Sequence, residues 1–516
     1  MKKIFLKSGF ILIIIFLQNI VLCNIALCAE ESEEKLVSPT EYNFKTYFHS
    51  RISYNMISNT TDLSSDSDDN AGYLSYLYDI GFYLKYAGST EFFLKMVRAT
   101  RSNYDAPVSG SKIVVWPGSE FDKYTSTESI LPRITEYWLD VPILESSMNT
   151  RFKAGLFSNI LGNGFVGGKY ENYGFSFYNT SGKIKYNFHT EIADYNNKIL
   201  LGPHIEQEKF FTYNDTNAYL VSADFRINMG HFNFEPYVSL LRDTTQNSSR
   251  ESLIATPTDE DILGTAGMMG LINFDELTVD FEYAKNFGKA ISASKSYPDV
   301  AHKGYLVYGN VSYSIYDMLI PKVGIIMASG NKITDADLDA LKLTGDTNNA
   351  FSVFSPSNTN LFDTQYPKKS GPFIATGSGH AINYGIPRPG TFSNANLLEN
   401  LDAKYIGLSA VPISYLYFSL DYWFLKSMET YPGTNSLSNG SKTEFSNNLG
   451  SELDLFGSIQ IRSNISFNII YAYWTPGDYY KELRNQYSGT GFTPLVRADG
   501  IADGISQFEI GVEFLF

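Results

Sequence analysis

Residues 42–56 read YNFKTYFHSRISYNM. Tyr42, Phe44, Thr46, Phe48, Ile52, Tyr54 and Met56 share one parity, and Asn43, Lys45, Tyr47, His49, Arg51, Ser53 and Asn55 share the other. Successive side chains of a strand point to opposite faces, so this period of two predicts one long strand with an apolar and a polar face. Strands in soluble domains average about 5–6 residues. A row of this length and aromatic content points instead to a strand that crosses a membrane.

Working outward, the same alternation recurs. Leu74, Tyr76, Tyr78 and Ile80 oppose Ser75 and Asp79, while Ile184, Tyr186, Phe188 and Ile192 oppose Lys185, Asn187, His189 and Glu191. Leu277, Val279, Phe281 and Tyr283 oppose Thr278, Asp280 and Glu282; Leu416, Phe418, Leu420 and Tyr422 oppose Tyr417, Ser419 and Asp421. Strand candidates lie near 41–57, 72–87, 90–100, 133–141, 150–157, 171–178, 183–193, 217–228, 231–242, 264–274, 276–286, 303–316, 320–328, 402–411, 413–426, 447–462, 464–475 and 506–516. Short connections (Gly88-Ser89, Ser181-Gly182, Met229-Gly230, Asp275, Ser463) alternate with long ones (58–71, 101–132, 194–216, 243–263, 329–401, 427–446, 476–505). A two-sheet sandwich would also alternate apolar and polar residues, but it has no cause to alternate its loop lengths. The expected fold is all-β, a single transmembrane antiparallel β-barrel of about 18 strands with long external loops and short periplasmic turns.

The chain opens on Met1-Lys2-Lys3 with Lys7, runs without a polar residue from Phe10 to Leu17, and offers Ala26-Leu27-Cys28-Ala29 for cleavage. Gln18 and Asn19 break the apolar run short of the ~20 residues a membrane helix needs. The expected organisation is a cleaved secretory signal peptide over 1–29, a short periplasmic segment over 30–40 and the barrel over 41–516. Both cysteines, Cys23 and Cys28, then leave with the leader, and disulfides and thiol chemistry leave with them. The net charge is −15; subtracting Lys2, Lys3 and Lys7 gives −18 for the remainder, which excludes nucleic acid as a partner. Tyr and Phe number 37 each while charged residues make up only 18%, as suits an aromatic exterior around a polar interior. Phe508, Ile510, Val512, Phe514 and Phe516 end the chain in a row that resembles the assembly signal of outer-membrane barrels. It implies insertion by the barrel-assembly machinery into a Gram-negative outer membrane, among its lipid and lipopolysaccharide.

Residues 447–480, NNLGSELDLFGSIQIRSNISFNIIYAYWTPGDYY, carry Gly450, Glu452 and Asp454 at the entry of one strand. An Asn-containing turn follows, then Trp474, Pro476, Gly477 and Asp478 at the end of the next. This hairpin resembles a late hairpin of the alginate-export family of outer-membrane porins, and the LGNGF turn at 161–165 matches that layout. Gly155-Leu156-Phe157 stands where the family tends to carry Gly-Arg-Gln. The resemblance therefore implies the fold and not alginate as the substrate.

If the polar parity faces a lumen, the pore-lining residues are Lys45, His49, Arg51, Asp79, Lys85, Lys95, Arg151, Lys153, Lys183, Lys185, Asp224, Arg226, Asp280, Glu282, Asp421, Glu452, Asp454, Glu509 and Glu513. Cations outnumber acids on the early strands and acids outnumber cations on the later ones. Two outcomes stay open: opposed arcs producing a transverse field, or charges that neutralise one another locally. No catalytic set, metal site or cofactor is expected. The histidines (His49, His189, His204, His231, His302, His380) have no metal-pair spacing, and Asp66, Asp68 and Asp69 lack the Gly and distal Glu of an EF-hand. Gly377-Ser378-Gly379-His380 is only a faint lookalike of a nucleophile elbow.

Residues 30–40 leave no room for a folded plug, and a barrel this wide without a plug holds water. The expected function is a porin-like channel for passive diffusion of small hydrophilic solutes, with saccharides or uronates as a refinement. A barrel that displays loops for adhesion or structure, and a barrel hydrolase, are the alternatives. The long 329–401 connection is the expected constriction.

Overall fold

The computed structural model describes residues 43–58, 71–86, 89–101, 133–144, 149–166, 172–192, 218–244, 258–292, 299–316, 318–331, 347–348, 400–430, 432–433, 443–444, 446–479 and 504–516. The first eleven strands are β1 (Asn43–Ser58), β2 (Ala71–Tyr86), β3 (Thr90–Arg101), β4 (Arg133–Leu144), β5 (Thr150–Phe157), β6 (Asn172–Asn179), β7 (Ile184–Ile192), β8 (Ala218–Met229), β9 (Phe232–Asp243), β10 (Thr258–Phe274) and β11 (Leu277–Ser292). The others are β12 (Val300–His302), β13 (Tyr305–Tyr313), β14 (Leu319–Ala328), β15 (Thr347–Asn348), β16 (Leu401–Ile413), β17 (Leu416–Lys426), β18 (Pro432–Gly433), β19 (Thr443–Glu444), β20 (Asn448–Arg462), β21 (Ile465–Pro476) and β22 (Ile505–Leu515).

One sheet holds 20 of them. Two of these, β12 and β15, are short pieces paired above the wall, which leaves an 18-stranded wall; β18 and β19 form a separate ribbon. Each wall strand pairs antiparallel with the next, and β1 pairs with β22 as well as with β2. The barrel is closed, so no wall strand presents an unpaired edge. No helix among the described residues is long and apolar enough to cross a membrane. Any crossing falls to the strands.

Parity decides which way each side chain points. Along β1, Arg51 is 5% exposed and Ile52 46%, Ser53 is buried and Met56 exposed. The outer wall carries Phe44, Ile184, Val221, Val323 and Ile406, all more than half exposed. An apolar surface continuing around the whole wall far exceeds what a water-soluble protein shows, and it fits hydrocarbon. Short turns close one end of the barrel. Between β10 and β11 the turn is Asp275-Glu276, with Asp275 at φ 44°, the left-handed geometry that two-residue hairpins require.

Some expected strand ends move. β10 starts at Thr258 rather than 264, and β11 runs to Ser292 rather than 286. Their backbones stay paired past the end of the apolar alternation, from Ile262↔Lys289 to Thr258↔Ser292, and outward polar groups there pair with each other, as Arg242 does with Glu260. Backbone pairing, not side-chain polarity, sets where a strand stops. The expected strand 303–316 is shorter, Tyr305–Tyr313. The expected leader, segment 30–40, Asp66, Asp68, Asp69, His204 and Gly377-Ser378-Gly379-His380 lie outside the described residues, as does nearly all of 329–401.

Closure brings the first and last strands together, and buried charges hold the seam. Arg51 donates to Glu509, and His49 lies between Asp79 at 2.9 Å and Glu513 at 2.8 Å. Removing one partner of a buried pair leaves an uncompensated charge, so Arg51→Leu should lower unfolding stability by about 3–5 kcal/mol. Arg51→Leu combined with Glu509→Leu should recover most of that loss. Urea titration of the detergent-folded barrel, followed by tryptophan fluorescence, checks both. Equal stability of the single and double variants would show that the pair does not hold the seam.

Candidate functional site

The interior face follows from register. Across the early strands His49 faces Asp79, Lys85 faces Glu91, Lys95 faces Glu136, and Asp140 faces Lys153. Further round, Lys185 faces Arg226, Asp224 faces Tyr237, Met269 faces Glu282, and Glu282 faces Tyr308. On the last strands Asp421 faces Asp454, Trp423 faces Glu452, and Glu513 faces Arg51. Lys45 and Arg151 share the inward parity of their strands, as do Asp280 and Glu509. Lys183 belongs to the turn before β7 and is exposed there. Beside that turn a cavity of about 790 Å³ is lined by Lys183, Lys185, Arg226 and Glu235.

Several interior charges are paired with partners on adjacent or next-nearest strands. Arg151 donates to Asp140 at 2.8 Å, Lys85 meets Glu91 at 3.2 Å, Arg226 meets Glu235 at 2.9 Å, and Lys322 meets Asp421 at 2.9 Å. The expectation of opposed walls requires correction at the seam. Arg51 does not look across the lumen at a late acidic strand, because closure makes β22 its neighbour and Glu509 its partner. Burying a charge without a partner is costly, which favours local neutralisation over a segregated field. Among the described residues, Lys45, Lys95, Lys153, Lys183 and Lys185 have no carboxylate within 4.0 Å.

The feature missing from the sequence reading is where residues 158–166 go. This segment leaves β5 after Phe157 and enters the barrel, where Leu161, Phe165 and Val166 are almost fully buried. Its polar groups find fixed acceptors. The Gly162 N–H donates to Glu235 at 3.0 Å and the Asn163 N–H to Glu282 at 2.7 Å, while the Asn163 side-chain amide donates to Asp280 at 3.1 Å. Tyr237 donates its hydroxyl to the other oxygen of Glu282 at 2.5 Å, and Asn159 donates to Ser222 at 3.1 Å. Phe165 packs against Tyr308 with ring centroids 5.2 Å apart.

The segment is therefore a chord from β5 to the wall of β8, β9, β11 and β13. Gly162 is required in it. Its φ is +55°, and a Cβ would lie 2.7 Å from both Glu282 and the Tyr237 ring. Asp280 and Glu282, expected to line the pore, accept hydrogen bonds from this loop. The readable signal was an LGNGF turn rich in free amides, together with an excess of acid on the inward faces of β9 and β11.

Ser176, His189 and Glu191 form a chain. Ser176 and the His189 Nδ1 are 2.8 Å apart, and the His189 Nε2 is 3.0 Å from Glu191. The order is that of a hydrolytic triad, but all three are buried and Phe157 packs edge-on against the imidazole. A substrate would have no approach to the hydroxyl. The chain orients His189 within the wall behind the loop.

No family model and no curated protein matches the chain. Among solved structures it is similar to Acinetobacter baumannii OccAB4, at 10% identity and a TM-score of 0.48, covering 92% of this chain and 98% of that one. It is likewise similar to Pseudomonas aeruginosa OpdL (8% identity, TM-score 0.49, 92% and 99% covered) and to P. aeruginosa OpdK with vanillate (10%, 0.47, 92% and 98%). Likeness at this level carries neither family nor substrate over to this chain.

If the carboxylates hold the loop, removing them should free it. A Leu161→Cys variant of the chain from residue 30 onward, which holds no other cysteine, should react slowly with a water-soluble maleimide. Adding Glu235→Ala and Glu282→Ala removes the acceptors of both loop amides, each hydrogen bond to a charged group being worth about 1.5–3 kcal/mol. Labelling should then accelerate by at least about tenfold. An unchanged rate would show that the loop is held by its apolar contacts alone.

Proposed function

We propose that the chain is an outer-membrane channel for the passive diffusion of small hydrophilic solutes. The observation that carries this reading is the closed 18-stranded wall with lipid-compatible residues outside and charged residues inside. Barrels of about 16–18 strands are wide enough to leave an aqueous lumen. The loop over 158–166 is seated on one side of that lumen, and Tyr47, Phe93, Lys95 and Trp138 on the inner face of β1, β3 and β4 stay partly exposed. Surrounding lipid and lipopolysaccharide, and insertion by the barrel-assembly machinery, belong to the same reading. Saccharides or uronates are the finer choice of solute, supported by the resemblance of residues 447–480 to alginate-export porins. Display of loops for adhesion is the second reading, and it predicts a barrel that does not conduct.

Planar-bilayer recording of the refolded barrel tests the proposal. Stable conductance steps are expected, and excision of residues 159–165 should enlarge the unit step because the loop no longer fills one side of the lumen. Absence of steps from well-folded protein would remove the channel reading. Selectivity should follow the unpaired interior cations rather than the paired ones. Neutralising Lys45, Lys95 and Lys153 together should move the reversal potential in a salt gradient toward cations. Neutralising Arg51 and Glu509 together should leave it in place, because a compensated pair has little field beyond a Debye length of about 8 Å.

A further inference from the structure

Aromatic rings on the outer wall face hydrocarbon, but Tyr47, Phe93 and Trp138 sit on the inner wall, partly exposed. Tyr47 and Phe93 have centroids 6.1 Å apart with planes 12° from parallel, and Phe93 and Trp138 are 5.4 Å apart at 30°. The rings run side by side across β1, β3 and β4 as a nearly continuous surface. Two details hold them flat. Tyr47 lies opposite Gly81 on β2, where a Cβ would fall 1.8 Å from the tyrosine ring, so only glycine lets the ring lie along the wall. Trp138 donates its indole N–H to Glu136 at 2.9 Å, which fixes the ring's orientation. Lys153 lies over the Trp138 end of the row, its ammonium 4.1 Å from the Trp138 centroid and 4.4 Å from that of Phe157, so the ring faces left to a solute there are those of Tyr47 and Phe93, with Trp138 shared with the lysine.

We infer that this row is a stacking subsite for the sugar rings of a saccharide passing through the channel; the inference rests on the channel reading. Apolar ring surface left open to water loses favourable burial unless something apolar slides over it. The loop over 158–166 is held on β8, β9 and β11, and the row keeps part of its surface exposed. What fits is a flat solute with an apolar C–H face and a hydrogen-bonding rim. Both kinds of partner lie against the row: Lys95 and Lys153 donate, and Glu136 accepts. A negatively charged aromatic acid would match the lysines but meet Glu136 unfavourably, so the mixed edge favours hydroxyls.

The test is current block of the full barrel in planar bilayers, with maltotriose as the first probe and benzoate as the second. Maltotriose is expected to interrupt the current saturably, and Trp138→Ala to weaken its apparent affinity about tenfold, the scale of one lost aromatic contact. Trp138→Phe, which keeps a ring, should stay within about threefold of the wild type. Phe93→Leu keeps side-chain bulk without a ring and should give a loss like that of Trp138→Ala, should the latter not insert. A conducting wild type that maltotriose does not block, or that benzoate blocks in its place, overturns the subsite while leaving the channel reading intact. Equal block in the wild type, Trp138→Ala and Phe93→Leu overturns it too. A folded wild type that does not conduct removes the channel reading and this one together.

Discussion

The structure depends on backbone hydrogen bonding at the seam. In hydrocarbon no water is present to satisfy a strand edge, and each unsatisfied N–H or C=O is costly. β1 must therefore meet β22, and the last residues do so, Phe48 and Phe516 exchanging backbone hydrogen bonds at 2.8 Å in each direction. Once the wall is closed, the period of two leaves each polar side chain a single destination. Lys45, Arg51, Asp79 and their counterparts on the other strands go inside. The inner face then has to resolve its own electrostatics within a confined space.

It does so pair by pair. Arg51 with Glu509, Arg151 with Asp140 and Lys322 with Asp421 each join neighbouring or nearly neighbouring strands. Short-range pairing satisfies hydrogen-bonding groups that a distant opposite charge could not reach, and screening weakens anything farther away. Surplus acid on β9 and β11 meets a different partner, the backbone amides of the loop over 158–166. Glu282 shows how tightly that is organised, with one oxygen accepting from Asn163 and the other from Tyr237. The acid surplus is thereby tied to the loop, and Lys95, Lys153 and the aromatic row stay partly exposed on the inner face of β1, β3, β4 and β5.

Strand number, the alternation of loop length and the direction of nearly every polar side chain on the wall were legible in the sequence. These follow from a local rule: in a strand, residue i and residue i+2 share a face, whatever lies elsewhere in the chain. YNFKTYFHSRISYNM at 42–56 is enough to place Arg51 inside and Ile52 outside. Register between neighbours was less legible, since a bulge such as that between Lys95 and Met96 shifts partners without marking the composition.

What only the tertiary structure decided is which distant segments meet. Arg51 and Glu509 are 458 residues apart in sequence, and nothing local to either names the other; closure of the wall does. The turn at 161–165 reads as an ordinary external turn until Glu235, Asp280 and Glu282 are seen to converge on its amides. Gly81 is one small residue on the polar parity of its strand until Tyr47 is found lying across it. Alternation is a property of one strand and is written in that strand. A constriction, a closed seam and a paved inner wall are contacts between strands, and they exist only once closure has set the register of the whole barrel.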